Sequence, residues 1–513
     1  QGNPGVSGVP NDNGIAVNKQ QTVVSVINSN LSVFDVEGDR LYYKSLQGFS
    51  DNLGIEERKF DPRVVYVPSR DRFVVVYLAG STSAGTYLML GFSDTNDPLG
   101  AWHHYALPGD ADNLNVWSDY PIVALKKDEI FVSLNLIRDG EPWETGFEGS
   151  IVWQIDLDNG FNGEELTTRY WPTAQHEDKK VRNLCLVKDE DMGTRSDLFL
   201  LSNRNFDETN DSIWLFHITG DLNDPTAEMT SGVYTLENPY GFPPNAQQNH
   251  DDDLATNDAR WLDAIQIGDQ IQFVGNTYVP SNGKPGVYHG FIEDVNGTPV
   301  FSGDYITTEL FDLGYPGLEY FSVEHQDAEV LIGVNYSNDT IFAGYGAIYY
   351  DGKGGYSDFV IIKEGEEPIH ALVGTDRWGD YFGIHQDPTY EGVMWLNGTY
   401  GGSGLDPEPW ISVLVHPSIS SVEERKTEES LSTVYPNPVY TELSVEFTMN
   451  KSERVKLELL NGAGAYLDLI MNTKVKAGTN KFSFSLDQYP AGTYFIRVAP
   501  EEGAPFVRKV VKL

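Results

Sequence analysis

Aspartate and arginine recur in short polar clusters along this chain of 513 residues. Four clusters stand at the start of apolar segments: Phe60-Asp61-Pro62-Arg63, Trp117-Ser118-Asp119-Tyr120-Pro121, Asn257-Asp258-Ala259-Arg260-Trp261 and Arg377-Trp378-Gly379-Asp380-Tyr381. Guanidinium groups pair with carboxylates in a fork geometry, so a fold that brought the clusters together would create one charged site. Its members would be Asp61, Arg63, Asp119, Asp258, Arg260, Arg377 and Asp380.

Such a site has three chemical uses that the residue types alone do not separate. It can be a structural network in which each buried charge is paired. It can bind a ligand or Ca²⁺ through its carboxylates. It can also be catalytic, because a sialidase-like hydrolase uses three arginines, a tyrosine nucleophile and an acidic partner. The clusters would supply Arg63, Arg260 and Arg377, with Tyr120 or Tyr381 as the nucleophile.

Two oxygen-rich segments could bind a hard cation, which needs about six to eight oxygen ligands. The first holds Asp156, Asp158, Asn159, Asn162 and Glu164, and the second is His250-Asp251-Asp252-Asp253. Neither follows the EF-hand spacing, so the metal ligands stay open, and Ca²⁺ is the one cofactor that the sequence suggests. His-Glu-x-x-His, Gly-x-Ser-x-Gly and nucleotide-binding glycine patterns are absent from the sequence. We therefore expect no organic cofactor and favour a protein that is not an enzyme.

The elements that must position these residues are short β-strands. Gly and Pro, 50 and 27 in number, separate runs of β-branched and aromatic residues. The runs form seven sets: 22–27 with 31–34, 72–78 with 87–92, 130–137 with 150–155, 198–202 with 213–218, 260–267 and 271–277 with 287–293, 330–336 with 346–350, and 381–385 and 393–396 with 410–415. A closed ring of sheets protects their edges. We therefore predict an all-β protein with a seven-bladed β-propeller over residues 1–419, irregular for about the first 14 residues, in which the first strand of each blade lines a central channel.

The charge balance limits the partners. With 76 acidic and 35 basic side chains the formal charge is −41, which repels phosphate backbones, so we expect no nucleic-acid partner. No run of 18 apolar residues predicts a membrane-spanning helix. The chain starts at Gln1, and we interpret it as a mature chain from which a signal peptide has been removed. The single cysteine, Cys185, lies in an apolar run and is predicted to be a small buried hydrophobe.

The composition changes near residue 420. Residues 420–431 carry a run of charged side chains and predict a solvated linker. Residues 432–513 hold ten basic and eight acidic residues, a net charge of +2, whereas the preceding 431 residues carry −43. Alternating apolar and polar positions in this last part predict a separate, small C-terminal β-sandwich.

The C-terminal unit resembles the type A sorting domain of proteins exported by the type IX secretion system. The resemblance rests on Tyr435-Pro436-Asn437-Pro438, Leu457-Glu458-Leu459-Leu460, Pro490-Ala491-Gly492-Thr493-Tyr494 and Arg508-Lys509-Val510-Val511-Lys512-Leu513. The prolines of the first motif fix φ and favour an extended chain, and Gly492 permits a tight turn. The family's export signal maps onto Tyr435, Pro436, Asn437, Pro438, Gly492, Thr493, Tyr494, Lys509 and Lys512.

This resemblance implies a destination and a set of partners. Such domains are read by an outer-membrane translocon and a shuttle protein, and a surface sortase then removes them. The cargo is either released or linked to surface lipopolysaccharide. The chain is therefore expected at the cell surface or outside the cell, whereas the sorting domain says nothing about the chemistry of its cargo.

The larger unit is similar to uncharacterised secreted β-propeller proteins that carry this sorting domain. The similarity rests on residues 60–66, 71–73, 93–102 and the polar clusters, and it implies a fold rather than an activity. We predict a binding or adhesion module for a surface glycan, lipopolysaccharide or matrix component, with the site on loops at one face of the propeller. The alternatives are a sialidase-like hydrolase that uses the channel mouth and an accessory subunit of a surface machine.

Overall fold

The computed structural model describes residues 10–172, 174–176, 179–190, 193, 195–323, 327–372, 374–420, 432–449, 451–461, 466–500 and 506–512. Its regular structure is almost entirely β-strand, as the β-branched and aromatic runs predict. The α-helices are Leu46–Phe49, Leu157–Asn162 and Pro417–Ser420, and the 3₁₀-helices are Asp51–Leu53 and Ser83–Gly85. Within these ranges, no helix has the length and apolarity to cross a membrane. The all-β prediction is confirmed.

The chain forms two compact units, Gln1–Ser418 and Ile419–Leu513. Each unit has its own sheets and its own apolar cores. Residues 421–431, which make up most of the predicted charged linker, lie outside the described residues. The linker and the domain boundaries at 419 and 432 therefore stay predictions.

Seven sheets of three to five strands follow one another in the described part of the first unit. Their neighbouring strands run antiparallel, except that Lys188–Asp189 joins the fifth sheet in parallel. The first sheet contains Gly14–Val17, Val23–Ile27, Asn30–Phe34 and Arg40–Ser45; the second Lys59–Val67, Arg72–Ala79, Tyr87–Ser93 and Trp102–Pro108; the third Val116–Lys126, Glu129–Arg138, Phe147–Asp156 and Thr168–Trp171; the fourth Cys185–Leu186, Leu198–Asn203, Asn210–Thr219 and Glu228–Tyr240. The fifth contains Lys188–Asp189, Trp261–Ile267, Gln270–Tyr278, Pro285–Glu293 and Val300–Ile306; the sixth Asp312–Tyr320, Val330–Asn338, Ile341–Tyr350 and Val360–Lys363; the seventh Gly383–Gln386, Val393–Gly401 and Pro407–Val415. Two further pairs are Gln175–His176 with Lys179–Lys180 and Leu254–Ala255 with Asp376–Arg377.

Each predicted set of strands falls within one of these sheets. The segments 72–78 and 87–92, for example, lie in Arg72–Ala79 and Tyr87–Ser93, which pair antiparallel. The antiparallel strands of each sheet are called its main strands, which among the described strands leaves out only Lys188–Asp189. The polar clusters belong to the first main strand of their sheet or to the segment just before it. For example, Asp61 lies in Lys59–Val67 and Asp119 in Val116–Lys126. The predicted site residues therefore occupy equivalent places in the second, third, fifth and seventh sheets.

A buried asparagine on the second main strand of each sheet from the third to the seventh reaches the sheet that follows. The five residues are Asn135, Asn203, Asn276, Asn335 and Asn397. Each bonds main-chain atoms at or just before the first main strand of the next sheet, as Asn203 Nδ2 does with the carbonyl of Ala259 at 2.6 Å. Asn397, on the seventh sheet, donates to the carbonyl of Gly14 on the first sheet at 3.2 Å. The series of contacts thus runs from the third sheet through the seventh and on to the first.

Apolar cores lie between consecutive sheets. Val24 of the first sheet and Phe73 of the second belong to one such core, and every following pair of sheets shares another. A further core joins the seventh sheet to the first, where Trp395 lies with Ile15 and Phe34. The first two main strands of each sheet are called its inner strands. Because both faces of each sheet are covered, the inner strands are continuous apolar runs rather than alternating ones.

The second unit contains two sheets in its described residues. One holds Ser432–Tyr435, Glu442–Met449 and Gly478–Ser485, and the other holds Tyr466–Lys474, Arg454–Asn461, Gly492–Pro500 and Phe506–Lys512. Val445 and Phe447 from the first sheet share one core with Leu457 and Ile496 from the second. Buried and outward positions alternate along Glu442–Met449, as expected of a strand with one covered face.

Candidate functional site

The four polar clusters meet at a cavity of about 260 Å³, the polar cavity. Its lining includes the predicted residues Asp61, Asp119, Arg260, Arg377 and Asp380, together with Asp12, Asn28, Arg58, Phe60, Trp117, Tyr120, Trp143, Arg182 and Asn257. Of the two other predicted residues, Asp258 pairs with Arg260, whereas Arg63 lines the second cavity described below and reaches this group through Tyr381, which stacks on Tyr120. The structure therefore brings all seven predicted residues together, while their role in binding a ligand stays a prediction.

The backbone at the start of the inner strands is unusual and turns side chains towards the cavity. Asp61, Tyr120 and Asn257 have φ values of 51°, 57° and 61°. A left-handed backbone costs a residue with a Cβ about 1 kcal/mol or more. Strand pairing shifts register beside Asp61 and beside Tyr120, where Pro62 and Pro121 cannot donate to the ladder. Such bulges redirect side chains away from the face of the sheet. Here the redirected side chains turn towards the cavity.

Arginines and aromatic rings alternate in a stack beside the cavity. The guanidinium of Arg63 lies 3.3 Å from the ring centre of Tyr381, and Tyr381 stacks on Tyr120 with ring centres 5.1 Å apart. Arg260 lies 4.4 Å from the ring centre of Tyr120 and 5.3 Å from that of Trp143. Each cation–π contact stabilises such a stack by about 0.5–2 kcal/mol. The stack joins four of the seven sheets and holds both arginines in fixed positions.

The predicted aspartate–arginine pairs form, but inside clusters rather than between them. Arg260 binds Asp258 in a bidentate pair, with Nε–Oδ1 at 2.8 Å and Nη2–Oδ2 at 2.6 Å. Arg377 Nη2 pairs with Asp380 Oδ2 three residues along the chain. Both sets of partners are close in sequence, so each pair shapes its own cluster and does not by itself hold two sheets together.

Contacts between clusters use other hydrogen bonds. Arg63 Nε donates to the carbonyl of Pro121 at 2.9 Å, which links the second sheet to the third. Asn257 Nδ2 donates to Asp380 Oδ1 at 3.0 Å, which links the segments before the fifth and seventh sheets. The structural network that the sequence predicted is present, and it consists of amide, carbonyl and stacking contacts as much as ion pairs.

Two carboxyl groups of the cavity, those of Asp61 and Asp119, hold their protons more strongly than an exposed aspartate does. Burial, followed by the charge of Asp380, raises the pKa of Asp61 to about 6. Burial, followed by the charges of Asp61 and Asp380, raises the pKa of Asp119 to about 7. Tyr381 donates its hydroxyl to Asp61 Oδ2 at 3.3 Å. Near neutral pH these carboxyls can therefore donate as well as accept hydrogen bonds.

The two predicted tyrosine nucleophiles are not activated. Burial raises the pKa of Tyr120 and of Tyr381 above the ordinary value for a phenol. A nucleophilic side chain needs a base or a lowered pKa to lose its proton. Arg63 and Arg260 already donate to the protein itself. The geometry thus gives little support to sialidase-like chemistry at these residues.

A second, smaller cavity of about 130 Å³, the inner cavity, is lined by the inner strands of all seven sheets. One residue from each sheet in order is Ile15, Val65, Ile122, Leu186, Asp263, Glu319 and Ile384. Lys188 Nζ donates to Asp263 Oδ2 at 3.0 Å, to Glu319 Oε2 at 3.1 Å and to the carbonyl of Leu318 at 2.7 Å. Burial lowers the pKa of Lys188, but the two carboxylates outweigh it and raise the pKa above its ordinary value. Sequence reasoning missed this triad.

Sequence reasoning also missed several residues of the polar cavity. Burial, followed by the charges of Asp61 and Asp380, raises the pKa of Asp12 well above its ordinary value. Asp12 stands in a polar cluster just before the first sheet, and Arg182 stands just before the fourth, so the rule that identified the other clusters could have found both. Trp143 lies outside the strands, where no sequence signal marked it.

The first predicted calcium segment uses its oxygens within the protein. Asp156 Oδ1 caps the helix Leu157–Asn162 by accepting from the amide of Asn159 at 2.7 Å. Both carboxylate oxygens of Asp158 accept hydrogen bonds from Arg70. The segment is thus ordered by its own contacts, and Ca²⁺ binding there stays a prediction.

In the second unit, the two ends of the predicted export signal meet. Asn437 Nδ2 donates to the carbonyl of Lys509 at 2.8 Å, and the amide of Val511 donates to Asn437 Oδ1 at 2.8 Å. Gly492 begins the strand that pairs with the last one, opposite Lys512. Lys509 is exposed on the strand at the edge of its sheet. Its charged amino group therefore stays in solvent while the strand is paired.

The remaining motif residues lie close to this edge of the unit. They are Tyr435, Pro436 and Pro438 around an exposed bend, and Thr493 and Tyr494 on the strand beside the last one. The hydroxyl of Tyr435 donates to Glu446 Oε2 at 3.1 Å, and that of Tyr494 donates to the carbonyl of Pro490 at 2.8 Å. The motif is therefore a single three-dimensional feature, although its parts are far apart in sequence.

Fold and geometry define an all-β chain with a large unit followed by a small, independently cored β-domain. Residues 433–512 of that domain match the family described as the secretion system C-terminal sorting domain. The predicted resemblance is confirmed, and the chain is a cargo of the type IX secretion system that is exported across the outer membrane to the cell surface or the extracellular space. The machinery of that system is its partner.

No curated protein matches the chain. Among solved structures, an exo-β-1,3-galactanase from Phanerochaete chrysosporium is 10% identical, with 100% of this chain and 97% of that one covered and a TM-score of 0.32. The polysaccharide lyase Uly1 is 10% identical, with 80% and 91% covered and a TM-score of 0.40. A mutant sialidase of Trypanosoma rangeli is 8% identical, with 99% and 96% covered and a TM-score of 0.38. Similarities of this size give no information about activity.

Proposed function

We propose that the first unit is a seven-bladed β-propeller and the second a β-sandwich. The ring is supported by the core between the first and seventh sheets, by the bond from Asn397 to Gly14, and by the inner cavity that every sheet lines. The sandwich is supported by two sheets around one core. Propellers bind ligands at one end of the ring. The polar cavity occupies such a place, because its residues stand where the inner strands begin.

We infer that the polar cavity binds a carbohydrate at the cell surface or in its surroundings. The observation that carries this function is a mixed lining, in which the half-buried indoles of Trp117 and Trp143 stand beside Asp119 and Arg377. A sugar ring offers an apolar face to an aromatic ring and hydroxyl groups to charged side chains. The volume of about 260 Å³ is near the small end of ligand sites and has room for a short saccharide.

Asp119 is the group of the cavity that is most available to a ligand. Among the described residues, none donates a hydrogen bond to its carboxyl group, whereas Asp258 and Asp380 are paired with arginines. With a pKa of about 7 it can donate to a sugar oxygen or accept from a sugar hydroxyl. Both kinds of bond suit a ligand whose hydroxyls act in either direction.

A glycan-active hydrolase is the second candidate, and the same carboxyl favours it. A carboxylic acid that keeps its proton near neutral pH can protonate a leaving group while a neighbouring carboxylate acts as base or nucleophile. Asp119 and Asp61 would fill these two roles. The raised pKa values of Tyr120 and Tyr381 count against the sialidase-like form of this alternative.

A glycan array probed with the purified chain tests the binding proposal. We expect wild type to bind a subset of glycans, and Asp119→Asn and Trp143→Ala each to weaken that binding at least about tenfold, or roughly 1.4 kcal/mol. The matched controls are Asp304→Asn, an exposed aspartate of the fifth sheet, and Trp410→Ala on the outer strand of the seventh. Unchanged binding in both cavity variants would place the site elsewhere.

Fluorogenic glycosides separate the binder from the enzyme. We expect no turnover by wild type. Turnover that is lost in both Asp119→Asn and Arg377→Ala, and kept in Asp304→Asn, would overturn the binding proposal in favour of the hydrolase.

We further propose that the sorting domain alone directs export, that the translocon and shuttle protein read it, and that the sortase removes it before release or attachment to lipopolysaccharide. The meeting of both motif ends at Asn437 supports a single recognition surface. A reporter with a signal peptide and residues 432–513 should reach the cell surface. Asn437→Ala should reduce its export, and Asn472→Ala on an exposed strand position should not. A reporter trapped in the periplasm would contradict the proposal.

A further inference from the structure

His250, Asp252 and His370 form a cluster outside both cavities. One ligand atom from each lies within 4.8 Å of the others. His370 Nδ1 is 3.1 Å from Asp252 Oδ2, and His250 Nδ1 is 3.9 Å from the same oxygen. The two imidazole ring centres are 4.6 Å apart. Two imidazoles and a carboxylate that converge on one point are a donor set typical of Zn²⁺.

Asp376 provides an independent observation that points to a cation at the same place. Its side chain is 0% exposed, and Oδ1 accepts from the amide of Leu372 at 2.7 Å. Oδ2 accepts no hydrogen bond from any residue that the structure describes, and it lies 3.5 Å from His370 Nδ1. A buried carboxylate oxygen without a donor is costly, so the site requires a positive charge beside it.

We propose that His250, Asp252 and His370 bind one transition-metal ion of the Zn²⁺ class, with the carboxylate of Asp376 beside His370. Tetrahedral zinc with bonds of about 2.0–2.1 Å places its ligand atoms about 3.3 Å apart. The separations of 3.1 and 3.9 Å from Asp252 Oδ2 to His370 Nδ1 and His250 Nδ1 fall on either side of that value. His250 Nδ1 accepts a hydrogen bond from the amide of Asp252 at 3.2 Å, so the exposed ring of His250 would rotate to bind the ion.

This assignment changes the cation that the sequence suggested for the segment His250-Asp251-Asp252-Asp253. A hard cation such as Ca²⁺ needs about six to eight oxygens, and imidazole nitrogen is a poor ligand for it. Only one aspartate of that segment, Asp252, belongs to the cluster. His250 belongs to the same segment, whereas His370 and Asp376 come from a part of the chain more than a hundred residues away, and no sequence pattern pairs them with it.

The metal would fasten two segments that lead into the polar cavity. The strands Leu254–Ala255 and Asp376–Arg377 pair in parallel, and Gln248 Nε2 donates to the carbonyl of Ile369 at 2.8 Å. Asp376 directly precedes Arg377, a residue of the cavity lining. Because none of the three ligand residues lines either cavity, the role of the ion is structural.

Metal titration of the full chain tests the site. After EDTA treatment and removal of the chelator, calorimetry should show one equivalent of Zn²⁺ bound, with a rise in Tm that saturates at the same ratio. Co²⁺ should give the visible absorption of a tetrahedral site, and Ca²⁺ and Mg²⁺ should leave Tm unchanged. His370→Asn and Asp376→Asn should each weaken Zn²⁺ binding by about tenfold or more.

His103→Asn is the matched control, because His103 also faces an aspartate, Asp94, at 3.2 Å but has no third ligand group in the described structure. It should bind Zn²⁺ as wild type does. Circular dichroism reports whether each variant folds, and if His370→Asn does not, the exposed His250→Asn decides. Absence of stoichiometric Zn²⁺ binding, or equal affinity in a folded His250 or His370 variant, would overturn the proposal.

Discussion

The polar cavity and the inner cavity are built from the same inner strands, yet their charged groups are paired differently. In the inner cavity Lys188 binds both Asp263 and Glu319, although burial still raises the pKa of Glu319. In the polar cavity burial, followed by the charges of neighbouring aspartates, raises the pKa of Asp61 to about 6 and that of Asp119 to about 7. Balanced charge holds sheets together, whereas carboxyls with shifted pKa values are typical of binding and catalytic sites.

The largest expected effect concerns the paired charges of the inner cavity. Lys188→Met leaves Asp263 and Glu319 buried without their cation and should lower the free energy of unfolding by about 3–5 kcal/mol. Urea titration followed by tryptophan fluorescence measures it, because all ten tryptophans lie in the first unit. Lys353→Met, which removes a surface pair with Asp327, should cost about 1 kcal/mol or less. Similar losses in both variants would show that the triad is not special.

The next effect concerns the contact between the seventh sheet and the first. Asn397→Ala removes the bonds from Nδ2 to the carbonyl of Gly14 and to Ser25 Oγ, both at 3.2 Å, and leaves that buried carbonyl without the donor. The free energy of unfolding should fall by about 1–3 kcal/mol. The exposed Asn296→Ala should change it by less than about 0.5 kcal/mol. A neutral Asn397→Ala would mean that the apolar core alone holds the first and seventh sheets together.

A smaller effect concerns Asp119 in the polar cavity, whose raised pKa makes the free energy of unfolding depend on pH. The pKa of Asp119 is about 7 in the folded chain against 3.8 ordinarily, so the folded state binds more protons in between and stability falls as pH rises. Asp119→Asn removes this loss. Because Asp119 is only half-buried, the variant should gain about 1–2 kcal/mol on wild type between about pH 5 and pH 8. Urea titrations at both pH values measure this gain, and the curve of Asp304→Asn should parallel that of wild type.

The smallest effect isolates one hydrogen bond at the wall of the polar cavity. Tyr381→Phe loses the bond to Asp61 but keeps the ring between Arg63 and Tyr120. The free energy of unfolding should change by less than about 1 kcal/mol. Tyr381→Leu, which also removes the stack, should cost clearly more in the same titration. Equal losses would assign the role of this residue to its hydroxyl.

The sequence predicted the strands well because each strand carries its own signal. Burial on both faces gives the inner strands continuous apolar runs, and the sorting domain shows period-two alternation and ordered motifs. The polar clusters were recognisable because they recur at the start of several apolar runs. Asp12 and Arg182 obey the same rule and could have been included.

Other features depend on contacts that no local pattern encodes. Lys188 lies on a strand of two residues, and its partners are 75 and 131 positions further along the chain. His370 and Asp376 meet His250 only because two distant segments pair in parallel. The left-handed backbone at Tyr120 follows from a bulge in strand pairing rather than from the residue type, which disfavours it.

The bond from Asn397 to Gly14 and the contact of Asn13 with Thr399 at 2.9 Å make the two ends of the first unit neighbours in space. In the proposed propeller no sheet is then first or last in a topological sense, and the order along the chain is one of several equivalent ways to open the same ring. Opening the chain at an exposed turn such as Asp139-Gly140 and joining the original ends would preserve every neighbour relation described above.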